Sequence, residues 1–185
     1  MLKIEGERIY LRDHLNTDLN NYHKWRSDEE IMRYSLLPRS LSLDDSFVYL
    51  AYDVKSAIRT DRKYFFLAIV LKPNDIYIGD AGFILDKVNE NGGVVEIGYF
   101  VYKEYWNKGY GTEATILIID YIFENFNVHK IIANCDARNL SSEKVMIKAG
   151  MIKEGYFKKE RFLNGEWTDN IKYCLLKEDW LKKFK

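Results

Sequence analysis

Polar and apolar residues alternate over Arg8-Ile9-Tyr10-Leu11-Arg12, which predicts a first strand with one buried face. The period then changes. Asn16-Thr17-Asp18 offers helix caps, and Leu19, Tyr22, His23 and Arg26 follow at helical spacing. Pro38 breaks that segment, and Ser42-Leu43-Asp44-Asp45 opens a second helix that runs to Thr60. Strands are predicted at Tyr64–Leu71, Ile76–Leu85 and Val94–Tyr102. The turns Lys72-Pro73-Asn74-Asp75 and Asn89-Glu90-Asn91-Gly92-Gly93 join them into an antiparallel meander. Thr112–Phe126 is a helix with Ala114, Leu117, Ile118, Tyr121 and Ile122 on one face. Ile116, Ile119, Phe123 and Phe126 populate the rest, so it is expected to be covered on two sides. A buried strand at His129–Cys135 follows, then a short helix from Asn139 to Ala149, with Gly150 suited to a left-handed cap. Strands Met151–Lys159 and Trp167–Leu176 close the chain around the hairpin signal Leu163-Asn164-Gly165-Glu166. The order β-α-α-β-β-β-α-β-α-β-β reads as one α/β (α+β) domain over residues 1–185. The strand–helix–strand at 94–135 forms a parallel, right-handed crossover in a mostly antiparallel sheet.

Composition narrows the function. The 28 basic and 28 acidic side chains cancel, so no overall field holds a polyanion and nucleic acid is not an expected partner. The longest apolar run, Phe65–Leu71, is far short of a membrane span, and no signal-peptide segment opens the chain; a cytoplasmic location is expected. Cys135 and Cys174 stand far apart outside any Cys/His cluster, which points to reduced thiols and to no metal site. The three histidines form no visible site. The tail Lys182-Lys183-Phe184-Lys185 reads as a solvated end.

The chemistry concentrates at Asn107-Lys108-Gly109-Tyr110-Gly111-Thr112, between a strand and a helix. Two glycines one residue apart allow a tight turn, and a helix starting there aims its unpaired N–H groups and dipole at the loop. With Lys108 beside it, this is a geometry for a pyrophosphate. A turn that merely joins strand to helix is the alternative, because neither a Walker A loop nor a three-glycine dinucleotide fingerprint is present.

The wider stretch Tyr105-Trp106-Asn107-Lys108-Gly109-Tyr110-Gly111-Thr112-Glu113-Ala114, preceded by Glu96-Ile97-Gly98-Tyr99, resembles the acetyl-CoA loop of the GNAT N-acetyltransferases, most closely their RimJ/RimL-like branch. Gly6–Arg12, Asp136–Ser142, Lys148–Met151 and Asn164–Asp169 resemble the same branch in the same order. The resemblance implies a twisted mixed sheet with a central splayed parallel strand pair and helices on both faces. Coenzyme A would lie in the V, with the backbone at Phe100, Val101 and Tyr102 along its pantetheine arm. Asn107, Lys108, Gly109, Tyr110, Gly111 and Thr112 would meet the pyrophosphate, and Asn139 the arm. It implies acetyl transfer from acetyl-CoA to a primary amine by direct attack in a ternary complex, in a monomer or homodimer. Trp106 stands where the superfamily loop usually opens with Gln or Arg, and Asn107 where the branch often has Gly. The general-acid Tyr of many relatives falls at Met146, which cannot donate a proton.

Such a reaction needs a proton acceptor for the amine, a donor for the carbonyl oxygen and a donor for the leaving sulfur. The resemblance points to Glu96, the amide around Val101, and Ser142. Glu96 could instead pair with a surface cation, and Ser142 could cap its helix. The acceptor is expected to be a protein N-terminus or a small amine. A polyamine is the alternative and would call on Glu29, Glu30, Asp44 and Asp45, although helix caps explain those residues as well. A non-catalytic CoA-binding sensor is the rival of another class. Trp25, Tyr34 and Trp167 are expected in the core or lining an acceptor pocket.

Overall fold

The computed structural model describes residues 1–85 and 87–184, with side chains through Lys182. The strands are β1 Lys3–Glu5, β2 Ile9–Asp13, β3 Tyr64–Leu71, β4 Ile76–Ile84, β5 Val88–Asn89, β6 Gly92–Val101, β7 Lys130–Asp136, β8 Ile152–Leu163 and β9 Glu166–Leu176. They pair in the order β1-β2-β3-β4-β6-β7-β9-β8, with β5 on β6. All pairs are antiparallel except β6–β7, which is the parallel crossover expected over 94–135. The helices are α1 Leu19–Ser27, α2 Glu29–Met32, α3 Leu43–Ala57, α4 Tyr110–Asn125, α5 Leu140–Lys148 and α6 Lys177–Phe184.

Period-two alternation divides the sheet between two cores. Ile9, Leu11, Leu67, Ile69, Val95, Ile97 and Ile131 face α4, which meets them with Ile118, Ile119, Ile122 and Phe123. Ala68, Val70, Tyr77 and Tyr102 face the other way, against Tyr22 and Trp25 of α1 and Leu50 of α3. Ser42 accepts from the Asp45 amide while Asp45 accepts from the Ser42 amide, so a capping box starts α3. The predicted first helix begins as a single 3₁₀ turn at Asn16–Asp18 before α1. Trp25 is buried in the second core, as one expectation had it. Trp167 is 60% exposed on the β8–β9 hairpin, against Phe162, and so belongs to neither core.

Ahead of the expected solvated tail lies a helix that the sequence did not disclose. Lys182 is exposed, but the preceding residues form α6, and Trp180 lies 3% exposed against Phe123 at 5.3 Å. Its Nε1 donates to Asp120 Oδ1 at 2.7 Å. Truncation there empties a filled site: Trp180→Ala is expected to cost about 3–5 kcal/mol of stability, read as a lower urea midpoint.

His14, just past the end of β2, is buried. Its Nε2 lies 2.9 Å from Asp80 Oδ1, and its Nδ1 3.7 Å from Asp18 Oδ2. Asp18 also accepts from Arg12 Nη1 and Nη2, at 2.6 and 2.8 Å. Burial alone would lower the His14 pKa, but Asp80 and Asp18 outweigh it and push it up to about 10. A raised folded pKa means stability that is complete below pH 6.5 and is lost as pH climbs towards 10. The melting temperature of the wild type is therefore expected to fall more steeply over that window than that of His14→Gln. Parallel curves would show His14 neutral.

Candidate active site

Parallel pairing between β6 and β7 covers Val94↔Lys130, Val95↔Ile131 and Glu96↔Ile132 and goes no further. Each strand continues, β6 to Val101 and β7 to Asp136, held on its outer side by β4 and β9 respectively. The sheet therefore opens from within, past Glu96. Three of the expected elements converge on this opening: the end of β6, the start of α4 and the start of α5.

At the end of β6, only part of the expected backbone is free. The Tyr102 amide donates to the Ile78 carbonyl at 2.8 Å, and its carbonyl accepts from the Tyr105 amide at 2.9 Å. Its side chain lies in the second core, with the hydroxyl on the Asn21 carbonyl at 2.5 Å. The Phe100 carbonyl faces β4, where a Cβ on Gly79 would collide with it, and the Phe100 ring stacks on Trp25 at 4.6 Å. Strand alternation thus sets the backbone of Phe100 and Tyr102 towards β4 and that of Val101 towards the opening. Trp106 donates from Nε1 to the Val101 carbonyl at 2.6 Å and ties the loop to the strand.

The loop itself enters the left-handed region twice, at Asn107 (φ 58°) and Gly109 (φ 85°). Glu113 N makes the first bond of α4, to the Gly109 carbonyl at 3.0 Å, so the amides of Tyr110, Gly111 and Thr112 precede it. One hazard for an anion here is Glu113 in the first turn. Arg8 meets it: its Nε lies 2.8 Å from Glu113 Oε2, its amide 2.8 Å from Oε1, and its Nη1 donates to the Lys108 carbonyl at 2.9 Å. The first hairpin thus neutralises the acid and braces the loop, a function the sequence did not disclose for Arg8.

Across the opening, the Asn139 side chain caps α5 by accepting from the Ser142 amide at 3.1 Å. The capping alternative for Ser142 therefore falls to Asn139, whose Oδ1 is occupied. The Ser142 hydroxyl instead lies 3.0 Å from the Tyr99 hydroxyl. Met146 is 1% exposed in the core, where it offers no proton. Burial pushes the Cys135 thiol up to about 11, with the Ser142 hydroxyl working in the other direction.

Glu96 is exposed and accepts from Asn134 Nδ2 at 3.0 Å, with no cation paired to it among the described residues. Asn134 and Asn170 approach at 3.5 Å, and Asn170 Nδ2 donates to Glu160 Oε2 at 2.6 Å. A second carboxylate thus reaches the same amide pair. Sequence reasoning missed Glu160 because a register shift between Phe157 and Arg161, with Lys159 at φ 47°, re-aims β8 there.

A splayed parallel pair whose gap is faced by free helix amides is the layout of an acyltransferase that takes its acyl group from coenzyme A. Residues 8–152 match the acetyltransferase (GNAT) domain family; the chain belongs to that family and is an N-acetyltransferase. It is 31% identical to YnaD, an uncharacterized N-acetyltransferase of Bacillus subtilis, across 97% of this chain and 99% of the relative. Among solved structures, the ribosomal-protein alpha-N-acetyltransferase RimL, in complex with coenzyme A, superposes with TM-score 0.83 at 15% identity, covering 96% of this chain and 99% of that one. The spermidine N-acetyltransferase of Vibrio cholerae, in complex with CoA and spermine, does so with TM-score 0.80 at 22% identity, covering 94% and 98%. At those identities the likeness is one of fold.

Proposed function

We propose that the described chain acts as one acetyltransferase domain, moving the acetyl group of acetyl-CoA to a primary amine by direct attack while both are bound. The observation that carries this reading is the opening past Glu96 and Ile132, bordered by a carboxylate, a strand amide and a serine hydroxyl. Acetyl-CoA supplies the thioester carbonyl that the amine attacks. The amides from Asn107 to Thr112, with Lys108, hold the pyrophosphate. The Val101 amide faces the pantetheine arm and the carbonyl oxygen as charge gathers there. Asn139, with Oδ1 occupied, reaches the arm through Nδ2. Glu96 accepts the proton of the attacking amine, directly or through a water shared with Asn134. Ser142 donates a hydrogen bond to the sulfur as the electron pair of the breaking C–S bond stays on it.

The acceptor in this reading is a protein N-terminus or a small amine. Three of the four acidic residues that a polyamine pocket would recruit have other partners: Glu30 pairs with Lys103 at 3.0 Å, Glu29 with Arg39 at 3.5 Å, and Asp45 completes the α3 box. The test is release of CoA thiol from acetyl-CoA with a panel of N-terminal alanine and serine peptides, spermidine, an aminoglycoside and free amino acids. Turnover with a peptide or a singly charged amine is expected. Fastest turnover with spermidine would move the acceptor to the polyamine class. CoA binding with no turnover on any amine would make the chain a sensor and overturn the reading.

A further inference from the structure

We infer that Tyr99 is a positioning residue for the leaving group: its hydroxyl donates to Ser142 Oγ, so that the single serine proton is left to point at the thiolate of CoA. The inference rests on the reading of Ser142 as the donor to sulfur.

A serine hydroxyl carries one proton and can occupy three staggered positions. In the first turn of a helix it ordinarily turns back onto the backbone as a cap. Here Asn139 has taken that role, which frees the Ser142 hydroxyl from the helix end. The group that meets it comes from the far side of the opening. Tyr99 belongs to β6, 43 residues away in the chain, and its oxygen lies 3.0 Å from Ser142 Oγ and 3.3 Å from the Ser142 carbonyl. The phenol therefore spans from the splayed strand to the helix that carries the serine.

Its ring is held as well as its oxygen. A Cβ on Gly111 would sit 3.5 Å and 3.6 Å from two ring carbons, so the first turn of α4 packs flush on the tyrosine. Strand, pyrophosphate loop and serine helix meet on this one side chain. Burial raises the phenol pKa, with the Ser142 bond working in the other direction, so the hydroxyl keeps its proton and remains a donor. As the C–S bond breaks, negative charge grows on sulfur and draws the serine proton towards it. The phenol proton stays on its own oxygen and holds the acceptor side of Oγ, so that bond tightens as the serine proton turns to sulfur. No proton leaves either residue: the amine proton goes to Glu96, and the released thiolate takes its own from solvent.

The test needs no acceptor. CoA itself, bound to the full chain, is titrated by the ultraviolet absorbance of its thiolate. In the wild type the bound thiol is expected to ionise at lower pH than free CoA. Tyr99→Phe, which removes only the hydroxyl, should reduce the thiolate fraction at a given pH by about tenfold. Ser142→Ala should do at least as much, and the double variant no more than Ser142→Ala alone. CoA affinity below the thiol pKa and the melting temperature should hold steady in Tyr99→Phe, which separates positioning from loss of structure. A shift in Ser142→Ala with none in Tyr99→Phe would overturn the role of Tyr99 and leave Ser142 in place. Full additivity of the two single effects would also overturn it, since Tyr99 would then act on sulfur by its own route. No shift in either variant would remove Ser142 as donor, and the inference with it.

Discussion

Glu96→Gln is expected to lower the acetylation rate by about 10²–10⁴-fold, the range of a removed general base. A free alkyl amine is mostly protonated near neutral pH, and only the neutral form attacks. Glu96 stands at the last parallel pair, beside Ile132, where the sheet opens, and Asn134 holds one of its oxygens at 3.0 Å. Glutamine keeps the shape and the hydrogen bond to Asn134 but cannot accept a proton. The deficit should be greatest at mildly acidic pH and should shrink as rising pH deprotonates the amine in solution. A pH–rate profile of both proteins measures this. A deficit that is the same at every pH would assign Glu96 to binding rather than to proton removal. Glu160, joined through Asn170 to the same amide pair, is the control: if Glu160→Gln shows the pH-dependent loss and Glu96→Gln does not, the base is the β8 residue.

Gly109→Val is expected to weaken CoA binding at least ~30-fold, from backbone strain and a displaced loop together. Gly109 sits at φ 85°, a region that a β-branched residue avoids. Its added Cβ would also come within 3.2 Å of an Arg8 guanidinium nitrogen, the group that braces the loop and neutralises Glu113. Both effects move the amides that precede the first helical bond. Gly165→Val separates strain from site: Gly165 has φ 86°, but a Cβ there meets nothing within 4 Å. That variant should lose comparable stability and bind CoA normally. Calorimetric titration with CoA, with melting temperatures alongside, reads both. Normal affinity in Gly109→Val would remove the loop from CoA recognition.

Most strands and helices were legible in the chain because their periods are local properties. Alternation at Arg8–Arg12 and the apolar run at Phe65–Leu71 become β2 and β3. The capping signals at Ser42 and Asn139 become the observed caps. The loop at 107–112 was legible for the same reason, since its glycines and the helix that follows are contiguous. Short elements were not: β1, α2 and the 3₁₀ turn at Lys103–Tyr105 are too brief to show a period. Helix α6 was not read either, because Trp180 is anchored by Phe123 and Asp120 of α4 rather than by its neighbours in sequence.

What the sequence determined by itself was therefore the set of elements, their order, and a turn-plus-helix able to face an anion. Side-chain period and turn chemistry are carried by residues a few positions apart. Tertiary structure alone decided which groups share the opening. Pairing register turned Val101 inward and Phe100 and Tyr102 away, and a bulge re-aimed Glu160. The splay of β6 from β7 left Tyr99 to find Ser142 across 43 residues. A period says which face a side chain takes. It says nothing of which strand lies beside it, and the chemistry of this site depends on that neighbour.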